Sequence, residues 1–497
     1  MSTREAVSTR VFAAWSRRWP YLVVSAAFAV SRLFYRFVFD VRFDTRPAEE
    51  FIQYIGPWFV EHDFFRSLLY LHQQPPLQNL LTGGCVKLFG APLGFEILHA
   101  VYVGCGATVA LGIVQVTLRL GVPRAIAVGF AALYAVSPVT VFYENWLFYH
   151  EPVAALQVLS LLALLRYYRL GTFGAGLLFF ALVATSALFY SLFAPVLVLV
   201  GLALFVRPPL AADGRQAARA RLVLALAIPL AALGLDRART RILVGHDQGA
   251  AYFWMNLAVK TFDGMRPGRR ALLVESGQIS RAPELMLFSR PLSEYDKNLR
   301  IAHMPTGVPL LDLEYAPDGS LNAHPLEKVL IAESFYKKDA LYLFLHAPDA
   351  YWRSVFEALT QSYFHSPLDY DKSISSPNRD KLSAFVEKTN VVFLPDKEGV
   401  QRVLVVLLPL AFLYGLHRVL GARGVLESER STAAVIVCML VVVSSVTLAT
   451  VAISFGDFCR YRYNLDPYSL ILLSLLATDV AEGARRALRS RRPTLAR

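Results

Sequence analysis

Pro76-Leu-Gln-Asn-Leu-Leu-Thr-Gly-Gly-Cys-Val-Lys-Leu-Phe89 decides how the rest of the chain is oriented. It is apolar enough to suggest a membrane span, yet too short to cross about 30 Å of hydrocarbon without distortion. Counted as a span, it inverts every later segment. Counted as a helix that dips into or lies on one leaflet, it inverts nothing. The basic residues choose between the two. Arg4, Arg10, Arg17 and Arg18 precede the first long apolar run, Arg119 and Arg124 flank a later turn, and Arg166 and Arg169 follow another run. Arg207, Arg215, Arg219 and Arg221 fill a fourth connection, Arg418 and Arg423 a fifth, and arginines from Arg485 to Arg497 crowd the C-terminus. With the short stretch demoted, all of these groups fall on the cytoplasmic side, as positive-inside bias requires.

The remaining runs are Trp19–Phe39, Gly94–Leu118, Ala125–Tyr143, Trp146–Leu165, Phe173–Phe189, Leu192–Val206, Leu222–Leu243, Val400–Leu420, Ala433–Ser454 and Tyr463–Val480. The expected fold is therefore an all-α polytopic membrane protein of about ten transmembrane helices. Interfacial helices are expected in the first outer loop, and a small mixed domain outside the membrane. The divisions are an N-terminal transmembrane module over 1–244, including the loop 40–75, an extracytoplasmic domain over 245–399, C-terminal transmembrane helices over 400–482, and a basic cytoplasmic tail over 483–497. Amphipathic patterns around Phe51–Val60 and Phe64–Leu71 suit helices lying in the interface. In the outer stretch, turn clusters such as Ala316-Pro-Asp-Gly and Ser375-Ser-Pro-Asn alternate with helical patterns over Glu327–Leu345 and Tyr351–Tyr363.

A hydrophobic content of 55% and a mean hydropathy of +0.43 fit this class. The net charge of +12 does not indicate nucleic acid, because the arginines sit in short connections between apolar runs. Four cysteines are too few for a disulfide framework. Ala27-Phe-Ala29 imitates a signal-peptidase site, but the apolar run continues past it to Phe39, so the segment reads as an uncleaved anchor.

Three polar islands interrupt this apolar chain: Asp40-Val-Arg-Phe-Asp44, Tyr143-Glu144-Asn145 and Asp457-Phe-Cys-Arg460-Tyr461-Arg462. The topology gathers them on the outer face. Asp44 could take a proton from a hydroxyl, with Asp40 its local competitor; a loop aspartate also makes turns and salt bridges. Glu151 lies inside an apolar run, where an ionisable group is costly and therefore a functional candidate. Glu144, at the turn, is cheaper to solvate and better placed to meet a substrate. Arg460 and Arg462 offer donor forks that match phosphate oxygens, although both would project alike only from an extended segment. Tyr461 between them, Tyr54 in the first loop and His72 before Pro75-Pro76 complete the substrate-binding candidates.

In their order and topology these motifs resemble the GT-C superfamily of integral-membrane glycosyltransferases, including protein mannosyltransferases and aminoarabinose transferases. The resemblance rests on an acidic residue after the first span (Asp44), on Pro75-Pro76-Leu77 ending in Lys87-Leu-Phe-Gly90, on Ser137-Pro138 before Glu144 and Glu151-Pro152, and on Arg460-Tyr-Arg462-Tyr before Asp466-Pro467. Two positions depart from the pattern. Asp44-Thr-Arg-Pro stands where many members have adjacent acidic residues, which keeps Asp40 open, and Gln74 stands in place of the usual histidine.

The resemblance implies a polyprenyl-phosphate-linked sugar donor, a hydroxyl acceptor on a glycan, lipid or protein, and contact with membrane lipids. The reaction would be an inverting transfer on the outer face of the cell membrane, with both termini cytoplasmic. Asp44 would serve as base, Glu144 would orient the acceptor or sugar, and Arg460 and Arg462 would hold the donor phosphate. No dedicated metal cage is read from the sequence, and a divalent cation is left open as a cofactor. The rival reading is a transporter or flippase for a lipid-linked sugar or another anion. It calls for pseudo-symmetric halves with interrupted helices, and no such correspondence is found.

Overall fold

The computed structural model describes residues 3–206, 208–209, 214–247, 249–285, 287–295, 297–299, 301, 305–364, 376–389, 402–421, 427–454, 456 and 458–490. Asp457, Ser375 and the last residues of the basic tail, 491–497, lie outside the described residues. Among those described there is no β-strand, only helices, turns and two isolated bridges, Asp44 with Trp146 and Tyr315 with Leu321.

Among the described residues, five helices are long and apolar enough to cross a membrane: Arg18–Phe39, Ala91–Arg119, His150–Leu170, Gly214–Val244 and Glu429–Ile453. A sixth is broken. Arg124–Val136 and Pro138–Glu144 meet at 55°, because Ser137 precedes a proline and is forced to an extended ψ of 129°. The other expected runs form shorter apolar helices, Phe173–Phe189, Ser191–Val206 and Val405–Gly421, or the more charged Asp466–Ser490. In that last helix the Asp479 carboxylate accepts hydrogen bonds from Tyr414 (2.6 Å) and Arg418 (3.1 Å).

His150–Leu170 occupies the centre of the bundle, with 67% of its apolar window buried against 22% for Gly214–Val244. The peripheral helix instead turns Leu224, Ile228 and Leu235 outward, as a lipid-facing surface does.

Leu77–Phe89 is a helix of 13 residues, about 20 Å long, and so falls short of the bilayer core. Gly90 has a φ of +77°, which a residue with a Cβ rarely adopts, and it lets the chain double back at once into Ala91–Arg119. The short helix anchors the first outer loop through its amides. Asn79 accepts from the Ile55 N–H (2.7 Å) and donates to the Gln53 carbonyl (2.9 Å), while Gln78 donates to the Tyr54 and Tyr102 hydroxyls. The loop itself carries the short helices Pro57–His62 and Phe64–Tyr70.

The described residues between 249 and 364 form a helical cap. Ala250–Asp263 packs on Lys337–His346 and Pro348–Glu357 around Met255, Ala258, Phe288, Tyr295 and Tyr336. The pattern over Glu327–Leu345 appears as Leu326–Ile331, a π-turn at Ala332–Tyr336, and Lys337–His346. The cap is tied to the bundle by Lys260 Nζ to the Ser454 carbonyl (3.1 Å), the Tyr351 hydroxyl to the Ala452 carbonyl (3.0 Å), and Tyr363 with Thr447 (2.8 Å).

Candidate active site

The first two islands are spliced together by their backbones. The Asp44 N–H donates to the Asn145 carbonyl (2.7 Å), and the Leu147 N–H donates to the Asp44 carbonyl (3.0 Å). This parallel bridge fixes Asp44 against the segment 145–150, which links the broken span to the central helix. Asp44 is 1% exposed. Arg46 closes on it as a fork, with Nε 2.8 Å from Oδ1 and Nη2 2.6 Å from Oδ2, while the Arg46 N–H donates to Oδ1 at 3.1 Å.

Asp40 is a different kind of group. It adopts the left-handed conformation at φ +50°, tolerable for an aspartate, and lies at the rim between Arg36 (2.8 Å) and Arg42 (2.7 Å). The Arg42 hydrogen bond holds its carboxyl below the usual carboxylate range. Of the two loop aspartates, Asp44 is the one joined to the second island.

The second island departs from expectation. Glu144, expected at an accessible turn, is fully buried, and Arg32 from the first span grips both its oxygens. The cause is local. Pro138–Glu144 bends away at the Ser137 break, and Glu144 settles over Gly106, where a Cβ would collide with its carboxylate. Glu151 is equally buried and accepts a hydrogen bond from the Tyr463 hydroxyl, which also lies 3.0 Å from the Tyr134 hydroxyl. Tyr463 stacks on Tyr143, with ring centroids 3.9 Å apart and planes at 7°. Both glutamates thus belong to a buried polar floor that joins the second island to Tyr463, the residue after the third.

In the third island, Arg460 and Arg462 lie on the helix Phe458–Tyr463, not on an extended segment, so residues two apart face opposite ways. Arg462 turns into the protein, donating to the Tyr363 carbonyl at 2.7 Å and lying 3.8 Å from Asp466. Arg460 turns toward the aromatic segment. Its guanidinium carbon is 5.3 Å from the Phe148 ring and 5.0 Å from the Tyr461 ring, and Nη2 donates to the Tyr461 hydroxyl at 3.1 Å.

Trp146, Phe148, Tyr149 and His150 are the hub of the site, and sequence reasoning passed over them. Trp146 stacks with His150, Tyr149 stacks with Tyr190 at 4.4 Å, and Tyr190 stacks with Tyr461 at 11°. The signal was present in the aromatic density of Phe142-Tyr-Glu-Asn-Trp-Leu-Phe-Tyr-His150. Tyr54 reaches the hub, donating to the Leu147 carbonyl at 2.8 Å. His72 does not. It sits in the joint between loop and cap, with its ring 6.0 Å from that of His324, whose Nε2 lies 3.0 Å from the Tyr54 carbonyl. Burial pushes His72 down to about 3 and His324 down to about 4.

The donor set does not fit the divalent cation left open by the sequence. Asp40, Asp44 and Glu144 are each engaged by arginine, and no cluster of three or more metal-ligating side chains occurs among the described residues.

No family model and no curated protein sequence matches the chain. Solved structures of the Archaeoglobus fulgidus oligosaccharyltransferase are similar to it. One, in complex with zinc and sulfate, is 12% identical with a TM-score of 0.40, covering 94% of this chain and 52% of that one. Another, of the archaeal enzyme AglB with an inhibitory peptide and a dolichol-phosphate, is 13% identical with a TM-score of 0.39, covering 97% and 53%. The apo form is 13% identical with a TM-score of 0.39, covering 95% and 52%. The chain spans about half the length of these proteins. At that identity and TM-score the similarity assigns neither a reaction nor a residue role here.

Proposed function

We propose that this chain is a membrane glycosyltransferase of the GT-C type, moving a sugar from a polyprenyl-phosphate donor to a hydroxyl acceptor on the outer face. In this reading ten helical segments cross the bilayer and the cap lies outside. The observation that carries it is the backbone splice at Asp44. Residues 44 and 146 are far apart in sequence, yet the splice sets a buried carboxylate beside an aromatic segment whose other side meets Arg460. A base and a cation near one aromatic surface suit transfer between a hydroxyl and a departing phosphate.

The acceptor hydroxyl would displace part of the Arg46 fork and lend its proton to Asp44. Its oxygen attacks the anomeric carbon, the bond from that carbon to the phosphate oxygen breaks, and the electron pair leaves with the phosphate. The anomeric centre inverts. Arg460 would balance the growing charge, and Tyr461, Tyr149 and Trp146 would offer faces to the sugar. Tyr54 would hold the Leu147 backbone in place. Arg462 would be a positioning residue, fixing its helix through Tyr363. Glu144 and Glu151 would support the floor and not touch the acceptor, and His72 would brace the cap.

The test is purified full-length protein in liposomes containing labelled polyprenyl-phosphate sugars and a mixture of hydroxyl acceptors. The expected result is transferred label in the wild type, with a loss on the order of a hundred- to ten-thousand-fold in Asp44→Asn. Label that crosses the bilayer without being transferred would replace this reading with transport. Full transfer by a normally folded Asp44→Asn would remove Asp44 from the chemistry.

A further inference from the structure

A second charged concavity lies at the opposite end of the bundle. The central helix runs from His150, in the hub, to Leu170, a rise of about 30 Å, which matches the thickness of the hydrocarbon core. At its far end a cavity of about 1010 Å³ opens between His150–Leu170, Phe173–Phe189 and the ends of Ala91–Arg119 and Glu427–Ile453. That volume is at the upper end of small-molecule sites. Its rim carries Arg119, Arg166 and Arg169, and its wall is apolar, with Leu159, Leu178 and Leu182 among the lining side chains.

Among the described residues the lining contains no carboxylate. Among the described residues none of the three arginines forms a hydrogen bond or ion pair, whereas Arg32, Arg42, Arg46 and Arg462 all do. Three unneutralised guanidiniums above a leucine wall at a bilayer edge are complementary to a ligand with a phosphate and acyl chains. Guanidinium binds phosphate oxygens through paired donors, and Leu159 and Leu178, both exposed, present apolar surface where chains would lie. The neighbouring connections are basic, which is the bias of a segment facing the anionic leaflet.

We infer that this groove is a binding site for an anionic phospholipid of the leaflet opposite the candidate active site, with Arg119, Arg166 and Arg169 holding its phosphate. The lipid would pin the far ends of the helices that carry the hub. The inference rests on the membrane placement of the bundle and not on the transfer reading, so an inactive protein could still bind the lipid.

Delipidated full-length protein, returned to micelles doped with phosphatidylglycerol, phosphatidylcholine or a polyprenyl phosphate, tests it. Bound lipid is counted by native mass spectrometry, and the thermal midpoint is followed by circular dichroism. Phosphatidylglycerol should be retained in preference to phosphatidylcholine and should raise the midpoint. Each arginine-to-alanine change should weaken retention roughly fivefold, the triple variant should abolish the preference, and Arg486→Ala, outside the groove, should leave it unchanged. Leu178→Trp keeps all three charges but fills the wall, and it should lower retention even if the triple variant folds poorly. Equal retention of the two phospholipids would overturn the inference. So would undiminished retention by a folded triple variant, or by Leu178→Trp. Binding of polyprenyl phosphate alone would also overturn it.

Discussion

The sequence set Asp44 against Asp40 as the base and Glu144 against Glu151 in the middle island, and their surroundings now separate Asp44 from Glu144. Asp44 is buried, but its partner Arg46 is half exposed, so in the proposed reading the carboxylate is uncovered by moving a surface side chain. Glu144 has no such freedom. Its partner Arg32 is also nearly buried, and the pair is closed beneath the hub. Glu144→Gln would leave the nearly buried Arg32 charge without its counter-ion. The expected loss is about 3–5 kcal/mol, the usual cost of breaking a buried pair. Reversible unfolding in mixed micelles measures it, and a variant as stable as the wild type would show that the pair does not hold the bundle. The sequence favoured Glu144 for access because it sits at a turn. It could not reveal the bend at Ser137, or the burial that depends on Gly106 offering room on a different helix.

At the scale of elements, the short length of Leu77–Phe89 was legible, and the break in the next span was not. Ala125–Tyr143 reads as one run, yet it divides at Ser137, where the residue before Pro138 is held extended. The third island was harder. A phosphate clamp from both arginines needs an extended backbone, and local hydrogen bonding instead winds Phe458–Tyr463 into a helix that splits the pair. The joint between the first loop and the cap has a pH consequence. His72 and His324 are neutral in the fold, with values near 3 and 4, against an ordinary 6.5 in the unfolded chain. The unfolded state therefore binds protons first, so their contribution is full above about pH 6.5 and drains away as pH falls toward 4 and 3. His72→Gln should flatten the fall of the thermal midpoint across that window. An unchanged slope would mean that other groups govern acid sensitivity.

For the whole molecule, the charge argument makes a claim that can be checked from both sides of a membrane. With the native cysteines replaced, Thr172→Cys, next to the basic end of the central helix, should react only with reagent admitted to the cytoplasmic side. Ser276→Cys, exposed on the cap, should react only from outside. Labelling of both from one side would break the topology on which the outer-face reading depends. Hydropathy and arginine placement alone indicated a helical membrane chain and led to the expectation that its polar islands gather at one end. Those are local or one-dimensional properties, because the cost of burying a charge or an unpaired peptide group acts on each segment separately. Only the tertiary structure decided which carboxylate meets the aromatic hub, which arginine faces it, and which glutamates are sealed away. Those outcomes depend on long-range contacts, such as the Asp44–Asn145 splice and the Glu144–Gly106 approach, whose partners carry no mark of one another in the sequence.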